Sequence, residues 1–72
     1  MSLTVVIPVY NEAENLQPLA QSLTEALLAE AQAKQQDFTI LFVDDGSEDE
    51  SLALLRSMAA QDKRIEYLSL RR

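Results

Sequence analysis

The 72-residue sequence contains no cysteine, no histidine, one glycine, two prolines and only six basic residues against twelve acidic ones. Without cysteine there are no disulfides to staple a small core and no thiolate metal site. Without histidine, imidazole general acid–base chemistry and the usual zinc ligand sets are excluded. A single glycine argues against a disordered or low-complexity segment, as does a composition that is 47% hydrophobic and 25% charged. The formal net charge of −6 is opposite to that of a nucleic-acid-binding module, which gathers a basic patch on one face. The bases that do cluster, Lys63-Arg64 and Arg71-Arg72, read as solvated ends rather than a binding stripe. No apolar run approaches the roughly 20 residues a membrane helix needs. Pro8 and the acidic residues after it interrupt any signal-peptide core. A cytoplasmic chain, or the cytoplasmic part of a larger one, is the expectation. Chains below about 70–80 residues rarely bury a comfortable core unaided, so residues 1–72 are taken as one unit.

What is present is an alternation of short apolar runs with helical stretches. Leu3 to Ile7 is a continuous, β-branched-rich run of the kind found in strands buried on both faces. Leu16, Leu19, Leu23, Ala26, Leu27 and Ala31 recur at helical spacing, which predicts a helix over about 15–34 with residues 9–14 as a loop. Pro18 is compatible only with the first turn of that helix. Phe38 to Val43 predicts a second buried strand, ending at Asp44-Asp45-Gly46-Ser47. Ser47-Glu48-Asp49-Glu50 has the S-x-x-E form of a capping box, with acids suited to a helix N-terminus. Leu52, Leu55 and Ala59 mark one face of the helix that follows, and Ile65 to Leu70 reads as a third strand. The order is β-α-β-α-β: an α/β, three-layer, Rossmann-like unit with a parallel sheet. Ligands of such sheets bind beyond the carboxyl ends of the strands, and both acidic turns, 8–15 and 44–49, fall there.

The chemistry of those turns narrows the ligand. A dinucleotide fingerprint or a P-loop needs glycines, and the latter a lysine, at the first turn. "PVYNEAEN", residues 8–15, supplies neither, and a naked diphosphate would meet like charge. Carboxylates there can instead accept hydrogen bonds from ribose hydroxyls or a base N–H, while a tyrosine ring packs on a base. The phosphates would then have to be met by a divalent cation held by oxygen ligands elsewhere.

"VVIPVYNE" at 5–12, the E-N-L helix start at 14–16 and "VDDGS" at 43–47 together resemble family 2 glycosyltransferases of the GT-A fold. The likeness is greatest to enzymes that move a sugar from a nucleotide-sugar to a polyprenyl phosphate, similar to dolichyl-phosphate mannose synthase. The resemblance implies a UDP- or GDP-sugar donor, a polyprenyl-phosphate or glycan acceptor, a divalent cation (Mg or Mn), and inversion by direct displacement. It assigns Pro8, Tyr10 and Glu12 to the first nucleotide-contacting turn, Asp45 to the base, and Val43 to the same pocket. Asp44 should point elsewhere or hold the turn, because strand side chains alternate. Gly46 fits a position of unusual φ/ψ or close ligand approach, and Ser47 an N-cap.

The family's D-x-D segment, which binds metal and diphosphate, is absent from these residues, as is the acceptor-binding half with any catalytic base. The 72 residues therefore look like the first quarter or third of an enzyme, inactive alone, with the cation's ligands beyond residue 72 and any membrane attachment, on the cytoplasmic face, also downstream. In the GT-A order the first strand sits between the second and a fourth that is missing here. Its far edge should be open, and self-association through that edge or through uncovered apolar surface is expected. Two other classes compete. A non-catalytic oligomerising or regulatory module would need only that open surface. A phosphoacceptor receiver domain shares the look of "ILFVDDGS", residues 40–47, but places its acidic pair after its first strand.

Overall fold

The computed structural model describes residues 2–70; the Arg71-Arg72 cluster lies outside them. Strand β1 (Ser2–Val9), helix α1 (Ala13–Lys34), strand β2 (Asp37–Asp44), helix α2 (Ser51–Gln61) and strand β3 (Ile65–Ser69) follow in the predicted order. All pairing is parallel, in the order β1-β2-β3, with Val5 opposite Ile40, Ile7 opposite Phe42, and Phe42 opposite Tyr67. Both crossovers step the same way across the sheet, so right-handed connections put both helices on one face. Under them, Ile40 and Phe42 of β2 meet Leu16 and Ala20 of α1, Leu55 and Met58 of α2, and Ile65 of β3 in one continuous core. Ile40, Phe42 and Leu55 are wholly excluded from solvent, each contributing about 1.5–3 kcal/mol of burial.

Only one face is covered. The run from Leu3 to Ile7, read as buried on both faces, has Val6, which points away from the helices, 58% exposed. Leu68 and Leu70 share the outer face on β3 and are also exposed. Of the three layers expected, the described residues build two: the sheet and one helical layer.

Helix α1 begins at Ala13, two residues before the predicted start, and Pro18 lies in its second turn rather than its first. Partners outside the helix hold its first N–H groups, as described below. The Glu14 carbonyl, deprived of a donor by Pro18, belongs to an exposed residue where water can serve it. The apolar stripe is also rotated slightly: Ala20 is buried and Ala26 exposed. Helix α1 closes without glycine, Gln35 taking the left-handed conformation (φ 53°) and donating its N–H to Ala31 and Gln32 carbonyls.

The capping box does not form. Helix α2 starts at Ser51, with Glu50 at the N-cap position making no side-chain cap bond. Ser47 is instead drawn down to the buried Asp44, which leaves residues 47–50 as a turn.

Candidate functional site

At the carboxyl ends of β1 and β2 the two connecting loops are sewn together. The Asp45 N–H donates to the Val9 carbonyl (3.0 Å), extending the β1–β2 pairing by one step. Beyond it, Asn11 takes the left-handed conformation, φ 50°, which asparagine tolerates better than most residues. That bend aims successive N–H groups at the other loop. Asn11 N–H donates to Ser47 Oγ at 2.9 Å, Glu12 N–H to Ser51 Oγ at 3.0 Å and Ala13 N–H to Asp49 Oδ2 at 3.2 Å. The return bonds come from the second loop: Glu48 and Asp49 N–H donate to Asn11 Oδ1 at 2.7 and 3.3 Å. Beneath them Asp44, 1% exposed, accepts the Ser47 N–H at 3.1 Å and the Ser47 hydroxyl on its Oδ1. Asp49 Oδ1 also accepts the Ser51 N–H at 2.9 Å.

This arrangement decides what the turn can bind. The start of a helix is an anion site when its free N–H groups point at solvent. Here the N–H groups entering α1 are occupied by Ser47, Ser51 and Asp49 side chains, one of them a carboxylate. The Asn11, Glu12 and Ala13 N–H groups are thereby withdrawn from any phosphate by their own neighbours. The Asp49 carboxyl is held below the usual aspartate range, first by the Ser51 side-chain bond and then, against some desolvation, by the Ser51 and Ala13 N–H groups.

The five residues singled out for nucleotide contact come together at this end. Pro8 and Val43 are direct partners in the β1–β2 register, Pro8 exposed and Val43 half-buried on the uncovered side of the sheet. Tyr10 and Asp45 follow one step beyond the last strand pair, Val9 with Asp44. Tyr10 is 55% exposed, Asp45 exposed and Glu12 half-buried. Asp44 faces the core and holds the turn, one of the two alternatives expected for it. Gly46 has φ 79° with no atom within 4 Å of where a Cβ would be, so backbone conformation, not crowding, accounts for glycine there.

The bracing residues Asn11, Asp49 and Ser51 were not anticipated, and Ser47 was given another role. Asparagine just after a strand, able to bend left-handed, was the available signal for Asn11. The alternation Ser47, Asp49, Ser51 was a fainter one.

A concavity of about 490 Å³ lies at the opposite, amino ends of the strands, lined by Gln35, Gln36, Asp37, Phe38 and Arg64 among others. Its one cation is committed: the Arg64 guanidinium forks onto Asp62 at 3.1 and 3.2 Å and lies 5.2 Å over the Phe38 ring. The Arg64 side chain in turn lowers the Asp62 carboxyl's pKa. This concavity is remote from the acidic turns and shares no residue with them.

Among the described residues no group of three or more carboxylates is placed to hold a metal ion. Asp44 is engaged by Ser47 and cannot team with Asp45, so the pair does not fit a divalent cation. No described helix is long and apolar enough to cross a membrane.

Comparison with known proteins agrees with this architecture. The family model described as Glycosyl transferase family 2 matches residues 4–72. An uncharacterized glycosyltransferase, YkoT of Bacillus subtilis (strain 168), is 40% identical over 70 residues, covering 94% of this chain and 21% of its own. The undecaprenyl-phosphate 4-deoxy-4-formamido-L-arabinose transferase of Enterobacter sp. (strain 638) is 44% identical over 59 residues, 82% of this chain and 17% of that protein. A putative glycosyltransferase, CsbB of Bacillus subtilis (strain 168), is 33% identical over 70 residues, with 97% and 20% covered. The chain thus spans about a fifth of the length of the curated relatives it matches. With a parallel β-α-β-α-β sheet and a match over nearly its whole length, this chain belongs to glycosyl transferase family 2.

Proposed function

We propose that this chain is the nucleoside-contacting part of a glycosyltransferase that moves a sugar from a UDP- or GDP-sugar to a polyprenyl phosphate. The observation that carries the reading is the gathering of Tyr10, Glu12 and Asp45 beside the Pro8–Val43 pair, at the carboxyl ends of adjacent parallel strands. That is where open α/β sheets take their ligands. Carboxylates of Glu12 and Asp45 accept from ribose hydroxyls and base N–H groups, Tyr10 offers a ring to a base face, and Pro8 and Val43 supply apolar contact. The relatives named as undecaprenyl-phosphate transferases support a polyprenyl-phosphate acceptor, and with it work at the cytoplasmic face of a membrane.

The diphosphate is met outside this turn, whose Asn11, Glu12 and Ala13 N–H groups are taken. A divalent cation, when bound, would neutralise the departing diphosphate. No described residues fit it, so its ligands and the base that activates the acceptor are assigned to other residues of the whole enzyme. The 72 residues alone are then inactive in sugar transfer and bind nucleoside weakly.

Titration of the chain with uridine, guanosine and their diphosphates, followed by amide NMR, tests this. The expected result is millimolar, magnesium-independent binding with shifts concentrated at Tyr10, Glu12, Val43 and Asp45. Sub-micromolar, metal-dependent binding of a nucleoside diphosphate, or shifts centred on Arg64 and Phe38, would refute it.

A second reading rests on a separate observation, the sheet face left uncovered and the outer edge of β1 left unpaired among the described residues: an oligomerising unit that self-associates through that surface. The phosphoacceptor reading is disfavoured, because the Asp44 carboxylate is buried against Ser47 and turned away from solvent.

A further inference from the structure

The bonds between the two loops form a closed circuit rather than scattered contacts. The Ser47 hydroxyl has one proton and two lone pairs. It gives the proton to Asp44 Oδ1 and accepts the Asn11 N–H at 2.9 Å. Asn11 answers with its side-chain carbonyl, which takes the N–H of Glu48, the residue next to Ser47, at 2.7 Å, and of Asp49 at 3.3 Å. The circuit spans 36 to 38 residues of sequence between its halves. Its anchor is a carboxylate 1% exposed on the core side of β2, and Ser47 is 6% exposed. Tyr10 and Glu12 flank Asn11 in one loop, and Asp45 lies between Asp44 and Ser47 in the other.

From this geometry we propose that Asn11, Ser47 and Asp44 are positioning residues, which fix Tyr10 and Glu12 against Asp45 before any ligand arrives. The inference rests on the nucleoside-binding reading for its consequence, but not for its structural content. An unbraced pair of loops would have to order on binding, and that entropy is subtracted from affinity. A braced pair has met the cost in folding. Asn11 serves through its Oδ1 and through its backbone N–H, whose bend needs φ near 50°: glycine tolerates the bend and keeps the N–H, and takes away the side chain with its Oδ1.

The experiment uses Asn11→Gly, Ser47→Ala, their double variant and Asn11→Asp, with Ile65→Val as a core control at the amino end of β3. In ligand-free protein, amide exchange at Glu12, Ala13, Glu48 and Asp49 should rise about tenfold in Asn11→Gly, while Ile40 and Phe42 in β2 keep their protection. Nucleoside affinity should fall by about three- to tenfold in either single variant, the range expected for one hydrogen bond. The double variant should lose little more than either single one, as for members of one network. Asn11→Asp, which restores an acceptor at Oδ1, should recover most of the protection. Ile65→Val should lower the melting temperature without changing affinity at temperatures where it is folded. Exchange that rises equally in the loops and in β2, or affinity unchanged when the loops open, would overturn the assignment. Absence of nucleoside binding by the unmodified chain would instead overturn the proposed function, and the exchange pattern alone would then decide whether the loops are braced as described.

Discussion

Ile40 and Phe42 of β2 lie beneath the helices and meet no solvent, whereas Val6 on β1 and Leu68 on β3, facing the other way, are 58% and 50% exposed. The residue types on the two faces are similar; what differs is whether anything lies on top. A strand apolar in every position suits a sheet covered twice, and these residues supply one cover. The candidate site sits where the two faces meet. Asp44 points into the covered side and anchors the loops, while Pro8 and Val43 lie on the open side. The covered face thus provides rigidity and the open face access.

Removing Phe42 should disturb the covered face most severely. Phe42→Ala should cost about 3–5 kcal/mol, against a total of roughly 4–10 kcal/mol for a chain of this size. Loss of the cooperative melt in circular dichroism is the expected outcome. The same truncation at Val6 should leave the melt within a few degrees.

Next in size is Asp44→Ala, which leaves the Ser47 N–H and hydroxyl without their buried acceptor at a cost of about 1–3 kcal/mol. It should also open the loops, visible as lost protection at Glu48 and Asp49. A variant with the same loss of stability but no loop opening would separate the anchor from the brace and weaken the account given above.

The element order, the parallel pairing and the end of β2 at Asp44 were legible in the sequence, because they follow from local periodicity and from turn residues such as Gly46. The loop bracing was not. Its bonds join residues 36 to 39 positions apart, and no local pattern announces them. Ser47 shows the failure most clearly: a serine three residues before a glutamate reads as a capping box, yet a buried carboxylate in β2 competes for its hydroxyl and wins. Uncovered apolar surface was expected, but not that the outer face of β1 would carry it, since apolar content says that a strand can be buried, not that it is. Pro18 was misplaced because a helix start supported from another loop can begin earlier than its own sequence suggests.

Acid should loosen the site before the core. Asp49 has a lowered pKa in the folded chain, chiefly through Ser51, and so does Asp62 through Arg64. A carboxylate of this kind contributes stability that is present above its unfolded pKa and is lost as pH falls through the folded one. Below about pH 4, amides of Ala13 and Ser51 should therefore exchange faster relative to those of Ile40 and Phe42. Asp49→Asn should flatten that acid dependence at the loops and leave it unchanged around Arg64. Equal acid sensitivity in the loops of Asp49→Asn and of the unmodified chain would mean that Asp49 does not hold them.

The smallest effect on stability should come from the open face, at Leu68→Lys. Leu68 pairs in register with Val43, and its strand-mates Glu66 and Leu70 on that face are exposed. A lysine there can lay its methylenes along the sheet and keep its charge in water, so the melt should move by no more than about 0.5 kcal/mol. Its consequence should appear in association instead. If exposed Val6, Leu68 and Leu70 are what draw copies together, light scattering at rising concentration should show oligomers for the unmodified chain and far fewer for Leu68→Lys. A lysine on an outer strand also discourages edge pairing, so Val6→Lys on β1 is the companion variant. Suppression by the β1 change alone would place the contact at β1, and suppression by both would show that β1 and β3 both take part. Undiminished association in both variants would show that the bare face is not the sticky one, and the contrast between the two faces would then be one of solvent exposure without consequence for assembly.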